Sequence, residues 1–217
     1  MNKDEFLKLS KELQELSKNI PLNWGNIQND ITDAKINLFK IRSKNQLENK
    51  IKPLSNTDKN YYRRRWFLWQ CARVDEYLFY SQNDILKNPN AKDKDWDIEF
   101  DNNKNLRFDL KGTIVPKKLR ANFTFSDEEK IINYYYQNQS KGVRNHIQNR
   151  LFIVHHSFYD NKRCLFLRCH WNLKVKAYQH FIKLLQNEIN YVSYKNVIAK
   201  CIFIFESENN EFSFKII

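Results

Sequence analysis

The sequence predicts an α+β fold, and three observations carry that expectation. Apolar residues recur at helical spacing through the first eighty or so positions, a period-two pattern frames a polar turn between Asp95 and Thr113, and the last third holds an apolar strand run and a terminal hairpin. With 217 residues, 41% of them apolar and 15% aromatic, the chain can bury a core without covalent staples. We expect a helical N-terminal appendage over residues 1–55 and an α+β domain over residues 56–217.

The first helix is expected to run for about sixteen residues, with Phe6, Leu9, Leu13 and Leu16 on one face, and to stop at Pro21. A second is expected from about Asn26 to Ser43, with Ile27, Ile31, Ala34, Leu38 and Ile41 aligned, followed by a polar linker from Lys44 to Asp58 that contains Pro53. A long third helix, capped by Thr57 or Asp58, carries Arg63, Arg64 and Arg65 and then Trp66, Trp69, Ala72, Val74 and Leu78. Glu76 falls on the side of Trp69 and Ala72. After a polar loop from Asn83 to Lys94 comes the hairpin. Leu119 to Phe125 alternates as a third strand, and Ser126 with Glu129 spells a capping box for a helix reaching about Gln139. RLFIVHH (Arg150 to His156) and CLFLRCH (Cys164 to His170) read as strands, Val175 to Asn190 as a helix, and 197–205 with 212–217 as a closing hairpin.

The hairpin, DWDIEFDNNKNLRFDLKGT, gives the clearest chemistry. If its five-residue turn centres on Asn103, paired residues have numbers summing to 206, which sets Asp97 opposite Asp109 and Asp95 opposite Lys111. Alternation then places Asp95, Asp97, Glu99, Arg107, Asp109 and Lys111 on one face, and Trp96, Ile98, Phe100, Phe108 and Leu110 on the other. Like charges set opposite each other destabilise a hairpin, so Asp97 and Asp109 either face water or hold a cation between them.

A net charge of +12 points to a polyanionic partner, and the most basic stretch is 126–200, with twelve Lys and Arg against five Asp and Glu. Tyr, Trp and His interleave with these cations and offer faces on which bases stack. The exit from the Ser126 helix, with Gln139, Lys141, Arg144, His146, Gln148 and Arg150, is the densest candidate for contact with nucleic acid. Lys117, Lys118 and Arg120 just beyond the hairpin, and Arg63 and Arg64, are further candidates. Arg144 and Gln139 are the ones expected to read bases.

The order helix, three strands, helix, strand from Thr57 to His156, with an acid opposite an Asp-x-Lys, resembles the PD-(D/E)xK nuclease superfamily. On that resemblance Asp97 matches the first metal-binding aspartate, Asp109 the second acid and Lys111 the lysine, with Phe108 and Leu110 at the flanking apolar positions. Glu76 matches the helical glutamate that some members add as a metal or water ligand. Two departures stand out: no proline precedes Asp97, and the second acid is Asp rather than the more frequent Glu. The resemblance covers about 100 residues. It implies a restriction-endonuclease-like core and a Mg²⁺-dependent DNA endonuclease of the type II restriction kind, holding one or two ions. A symmetric homodimer on double-stranded DNA follows from one site per chain cutting two strands.

The chemistry argues for the same residue types independently. Phosphodiester hydrolysis uses hard cations held by a few carboxylates, and a lysine beside them that orients water and offsets developing charge. The alternative is a non-catalytic nucleic-acid-binding protein whose acidic hairpin is structural. Gly25, Gly112 and Gly142 are the only glycines, which argues against P-loop and Rossmann nucleotide sites. Cys71, Cys164, Cys169 and Cys201 lack paired spacing, and Cys164 and Cys169 would face opposite ways on a strand, so core thiols rather than zinc are expected. No apolar run approaches the roughly 20 residues that cross a bilayer, and none at the N-terminus resembles a signal peptide. The expectation is a soluble protein of the reducing cytoplasm, with no membrane partner.

Overall fold

The computed structural model describes residues 1–21, 33–90, 93, 95–138, 147–186 and 189–217. It is a mixed α+β protein in two compact units, residues 1–74 and 75–217, and the division falls within a long helix.

The first unit is helical. In α1 (Lys3–Ser17) Asn2 accepts the Glu5 N–H at 2.8 Å as N-cap, and Leu9, Leu13 and Leu16 are buried. The expected linker at 44–58 instead contains α2 (Lys44–Ile51), capped by Ser43 and burying Leu47 and Ile51 one turn apart. The expected second helix does not reach Ser43. Asn37 is extended and caps a 3₁₀ turn at Leu38–Lys40, while Ile27 and Ile31 lie outside the described residues. The long α3 (Asn56–Tyr80) begins where Ser55 accepts the Asp58 N–H, two or three residues before the expected caps. Trp66 Nε1 and Gln70 Nε2 both donate to the Ile41 carbonyl, at 3.1 and 3.0 Å. The buried stripe of α3 includes Phe67, Cys71, Val74, Leu78 and Phe79.

The second unit is built on a seven-stranded sheet: β1 (Ile85–Lys87), β2 (Ile98–Phe100), β3 (Arg107–Ile114), β4 (Arg150–Ser157), β5 (Val192–Tyr194), β6 (Val197–Glu206) and β7 (Phe212–Lys215). The order is β1-β2-β3-β4-β6-β5, with β7 paired to β6 beyond β5. Pairing is parallel for β3–β4 and β4–β6 and antiparallel elsewhere. Ile98 pairs Phe108 and Glu99 pairs Arg107, so the expected hairpin register holds.

Three strands do precede the helix α4 (Glu128–Asn138), but β1 falls in the segment expected as a loop. Residues 119–125 are not a strand. Residues 119–122 belong to a 3₁₀ stretch, Lys117–Asn122, set by Pro116, whose carbonyl accepts the Leu119 N–H at 2.8 Å, and Phe125 opens a second 3₁₀ turn. The turn into α4 is capped two residues earlier than expected: Asp127, not Glu129, reaches back to accept the Thr124 N–H at 2.9 Å. CLFLRCH is not a strand either, but α5 (Cys164–Leu167) leading into α6 (Trp171–Leu185). The four cysteines are buried thiols outside any disulfide, in keeping with the expected core positions.

One sheet face, with Val115, Phe152, Val154, Ala199, Cys201 and Phe203, packs against Ile131 and Ile132 of α4 and against Phe123. On the other face Phe79 stacks on Tyr178 of α6 at 4.0 Å and meets Phe100 and Phe181 edge-on.

Candidate active site

The face packed by α4 is apolar along β4 and β6 but begins with charge. In register across the parallel pair, Asp109 is opposite Arg150, Lys111 opposite Phe152 and Thr113 opposite Val154. Asp109 and Arg150 therefore occupy the end of the face where α4 runs out and its Tyr136 lies over the sheet, with the Arg150 guanidinium 5.0 Å from the ring centre.

Asp97 enters from β2. Its N–H donates to the Phe108 carbonyl at 2.9 Å, and its Oδ2 accepts the Leu110 N–H at 2.7 Å, which fixes the carboxylate against β3. Burial, and after it the negative charge of Asp109, pushes its pKa up to about 6, against the Leu110 bond and Lys111, which favour the ionised form. Asp109 is 5% exposed. Lys111 Nζ lies 2.5 Å from its Oδ1, while Gln148 Nε2 and Arg150 Nε both approach its Oδ2 at 3.3 Å. The constellation is thus two facing carboxylates, one half-buried lysine, and a buried arginine and a glutamine behind the second acid.

Of the expected residues, the structure brings together Asp97, Asp109 and Lys111. Asp95 is exposed and its N–H is bonded to Asp93. Trp96 is not on the apolar face: regular pairing starts at Ile98, and the Arg107 guanidinium lies 4.5 Å from the Trp96 ring centre while it also pairs with Glu99. Glu76 is directed to Lys87, at 3.8 Å. Among the described residues no three His, Cys, Asp or Glu side chains gather as a metal cluster, so Glu76 does not complete one with the two aspartates. The buried acid of that turn is its neighbour Asp75, 1% exposed, whose Oδ1 accepts from Lys174 Nζ at 2.8 Å and Tyr178 Oη at 2.7 Å.

The expected basic flank is divided. Lys117 and Lys118 are exposed, with Lys118 over Tyr134, but from Asp109 to Ile114 the strand alone covers about 17 Å, so they lie toward its far end. Arg120 donates through Nε to the Val115 carbonyl at 2.7 Å. Arg63 binds Glu48 through two bonds of 2.8 and 2.6 Å, and Arg64 reaches the Pro21 carbonyl, so each is engaged within the helical unit. Gln139, Lys141, Arg144 and His146 lie outside the described residues. The contacts that sequence reasoning missed are those of Gln148 and Arg150 with Asp109. Their basic and amide character was visible, their register against β3 was not.

Comparison with protein-family models, with curated proteins and with solved structures returned no match. No helix among the described residues is long and apolar enough to cross a membrane.

Proposed function

We propose that this chain is a metal-dependent phosphodiesterase, a DNA endonuclease of the type II restriction kind built on a restriction-endonuclease-like core. The observation that carries the reading is the facing pair Asp97 and Asp109 with Lys111 beside it. Burial, and after it the charge of Asp109, raises the affinity of Asp97 for a proton, and a divalent cation held between the two carboxylates would relieve the same repulsion.

The donor set suits Mg²⁺: hard oxygens, few of them, with coordination positions left for water and for substrate oxygens. Asp97 and Asp109 would hold the ion. When bound, it supplies Lewis-acid polarisation of the phosphate and a more acidic water. Lys111, half-buried and already within reach of Asp109, is placed to orient water at the site and to offset negative charge as it develops. The +12 charge favours a polyanionic substrate, which on this reading is duplex DNA, and cutting both strands from one site per chain calls for a symmetric pair of copies.

A second reading has a specific observation behind it. The Lys111–Asp109 contact of 2.5 Å, with Gln148 and Arg150 on the other oxygen, also describes a closed structural ion cluster in a non-catalytic nucleic-acid-binding protein. Nicking of supercoiled plasmid separates the two. The expected outcome is cleavage with Mg²⁺, none with EDTA, and none for Asp97→Asn or Asp109→Asn, while gel shifts in EDTA show DNA binding retained or strengthened in both variants. Unaltered nicking by both folded variants refutes the site assignment.

A further inference from the structure

Asp109 is held by more than the lysine beside it. Arg150 is 4% exposed and stands directly opposite Asp109 on the neighbouring parallel strand. Its Nε approaches Asp109 Oδ2 at 3.3 Å, and Gln148 Nε2 approaches the same oxygen at the same distance. Both residues are fixed from above by one side chain of α4. The Tyr136 hydroxyl donates to the Gln148 carbonyl at 2.8 Å, its ring covers the Arg150 guanidinium, and the ring's own orientation is set by parallel stacking on Tyr194 at 4.5 Å and 7°. The backbone adds a further tie, Asp109 N–H to the Asn149 carbonyl at 3.0 Å.

We propose that Arg150, with Gln148 as its lesser partner, is a positioning residue for Asp109: the two donors turn Oδ2 toward β4 and so leave Oδ1 directed to the side of Lys111. This rests on the reading of Asp109 as a metal ligand. Groups behind a ligand commonly set its affinity for metal, and losing one costs about 10–100-fold.

The sign of the effect distinguishes positioning from plain charge. A buried guanidinium beside a ligand repels an arriving cation, so if Arg150 contributed only its charge, Arg150→Met would tighten cation binding. Positioning requires the opposite. The test uses Mn²⁺ alone, without nucleic acid, titrated into the full-length protein by calorimetry. Arg150→Met is expected to weaken Mn²⁺ binding by about 10–100-fold. Because removing one partner of a buried ion pair threatens folding, Gln148→Leu is the second variant. It removes a donor to the same oxygen without touching the charge, and is expected to weaken binding by about tenfold. Nicking lost in Gln148→Leu should return when Mg²⁺ is raised by the same factor, a rescue that a merely destabilised protein does not show. In an Asp109→Asn background, adding either substitution should leave residual Mn²⁺ binding unchanged, since both act through Asp109.

Unchanged or tighter Mn²⁺ binding in folded Gln148→Leu, or additive losses in the Asp109→Asn background, overturns the proposal even where the protein nicks DNA. Wild-type protein that binds no Mn²⁺ overturns it together with the metal site. Weaker Mn²⁺ binding in the variants of a protein that nicks nothing sustains the positioning role and refutes the endonuclease reading alone.

Discussion

Asp97→Asn should stabilise this protein at neutral pH and leave it unchanged in acid. The Asp97 carboxyl is pushed from an ordinary 3.8 up to about 6, first by burial and then by Asp109. A raised pKa means that the folded state binds the proton more tightly than the unfolded chain. The neutral acid is therefore accommodated without cost below about pH 4, and stability is lost as pH climbs through 6. A shift of about two units corresponds to about 3 kcal/mol at 1.36 kcal/mol per unit. Asp97 is only partly buried, so solvent screening lowers the expected effect to about 1–3 kcal/mol. Asparagine keeps an oxygen for the Leu110 N–H, so the bond at 2.7 Å survives while the charge goes. The assay is urea denaturation of both proteins between pH 4 and 8 in EDTA. At a slope of about 1–3 kcal/mol per molar, the midpoint of Asp97→Asn should exceed that of the wild type by about 1 M at pH 7 and coincide with it near pH 4. A variant less stable than wild type at pH 7, or a difference that does not vary with pH, would refute the facing-carboxylate geometry.

Lys111→Ala should slow Mg²⁺-dependent nicking by at least about a hundredfold. Mn²⁺ binding should stay the same or tighten, because the lysine that occupies Asp109 Oδ1 is gone; weakened metal binding with an unchanged rate in the bound complex would make Lys111 structural. Lys174→Met should cost about 3–5 kcal/mol of stability by leaving the fully buried Asp75 carboxylate without its cation, and Asp75→Leu in the same chain should restore most of it, as read by thermal unfolding. A single substitution that shifts the transition by no more than a degree or two would show that the pair is not held as the structure has it.

How far the fold could be read from sequence depended on whether burial was one-sided. The β2–β3 hairpin has one wet face and one dry one, so its period of two fixed the register at Ile98–Phe108 and Glu99–Arg107. CLFLRCH is buried on nearly every side, with Cys164, Leu165, Leu167, Arg168 and Cys169 all inside, and with no polar face a period of two cannot be told from one of 3.6. Residues 119–125 alternate by accident of packing. Phe123 is buried and Leu119 and Phe125 lie against the same α4 cluster from 3₁₀ turns, while the Arg120 side chain bonds a backbone carbonyl that a neighbouring strand would otherwise satisfy. α2 was hidden because only Leu47 and Ile51 mark its face in an otherwise polar segment.

The same distinction governs the site. Asp97, Asp109 and Lys111 belong to one hairpin, so turn length and alternation bring them together without knowledge of the rest of the chain. Arg150 and Gln148 reach Asp109 across a parallel pair, whose register is set by the crossover through α4 rather than by a turn, and no local pattern encodes it. The contrast between Glu76 and its neighbour has a related origin. The choice followed Trp69 and Ala72, both half-exposed, whereas the buried stripe one residue away, through Cys71, Val74 and Leu78, carries Asp75. Asp75 is held by Lys174 and Tyr178 of α6, and near it Arg168 crowds Gly112 so closely that a Cβ there would lie 2.8 Å from its Nη1. Lys111 and Gly112 are thus consecutive residues with opposite duties: one faces the carboxylate pair, the next lies against a buried ionic cluster on the other side of β3. Gly112→Ala, which removes no charge and touches neither Asp97 nor Asp109, should therefore displace the Arg168 guanidinium. If nicking falls in that variant while Mn²⁺ still binds, the placement of Lys111 depends on the packing behind it; if nicking is unaltered, the hairpin carries its site independently of the far face.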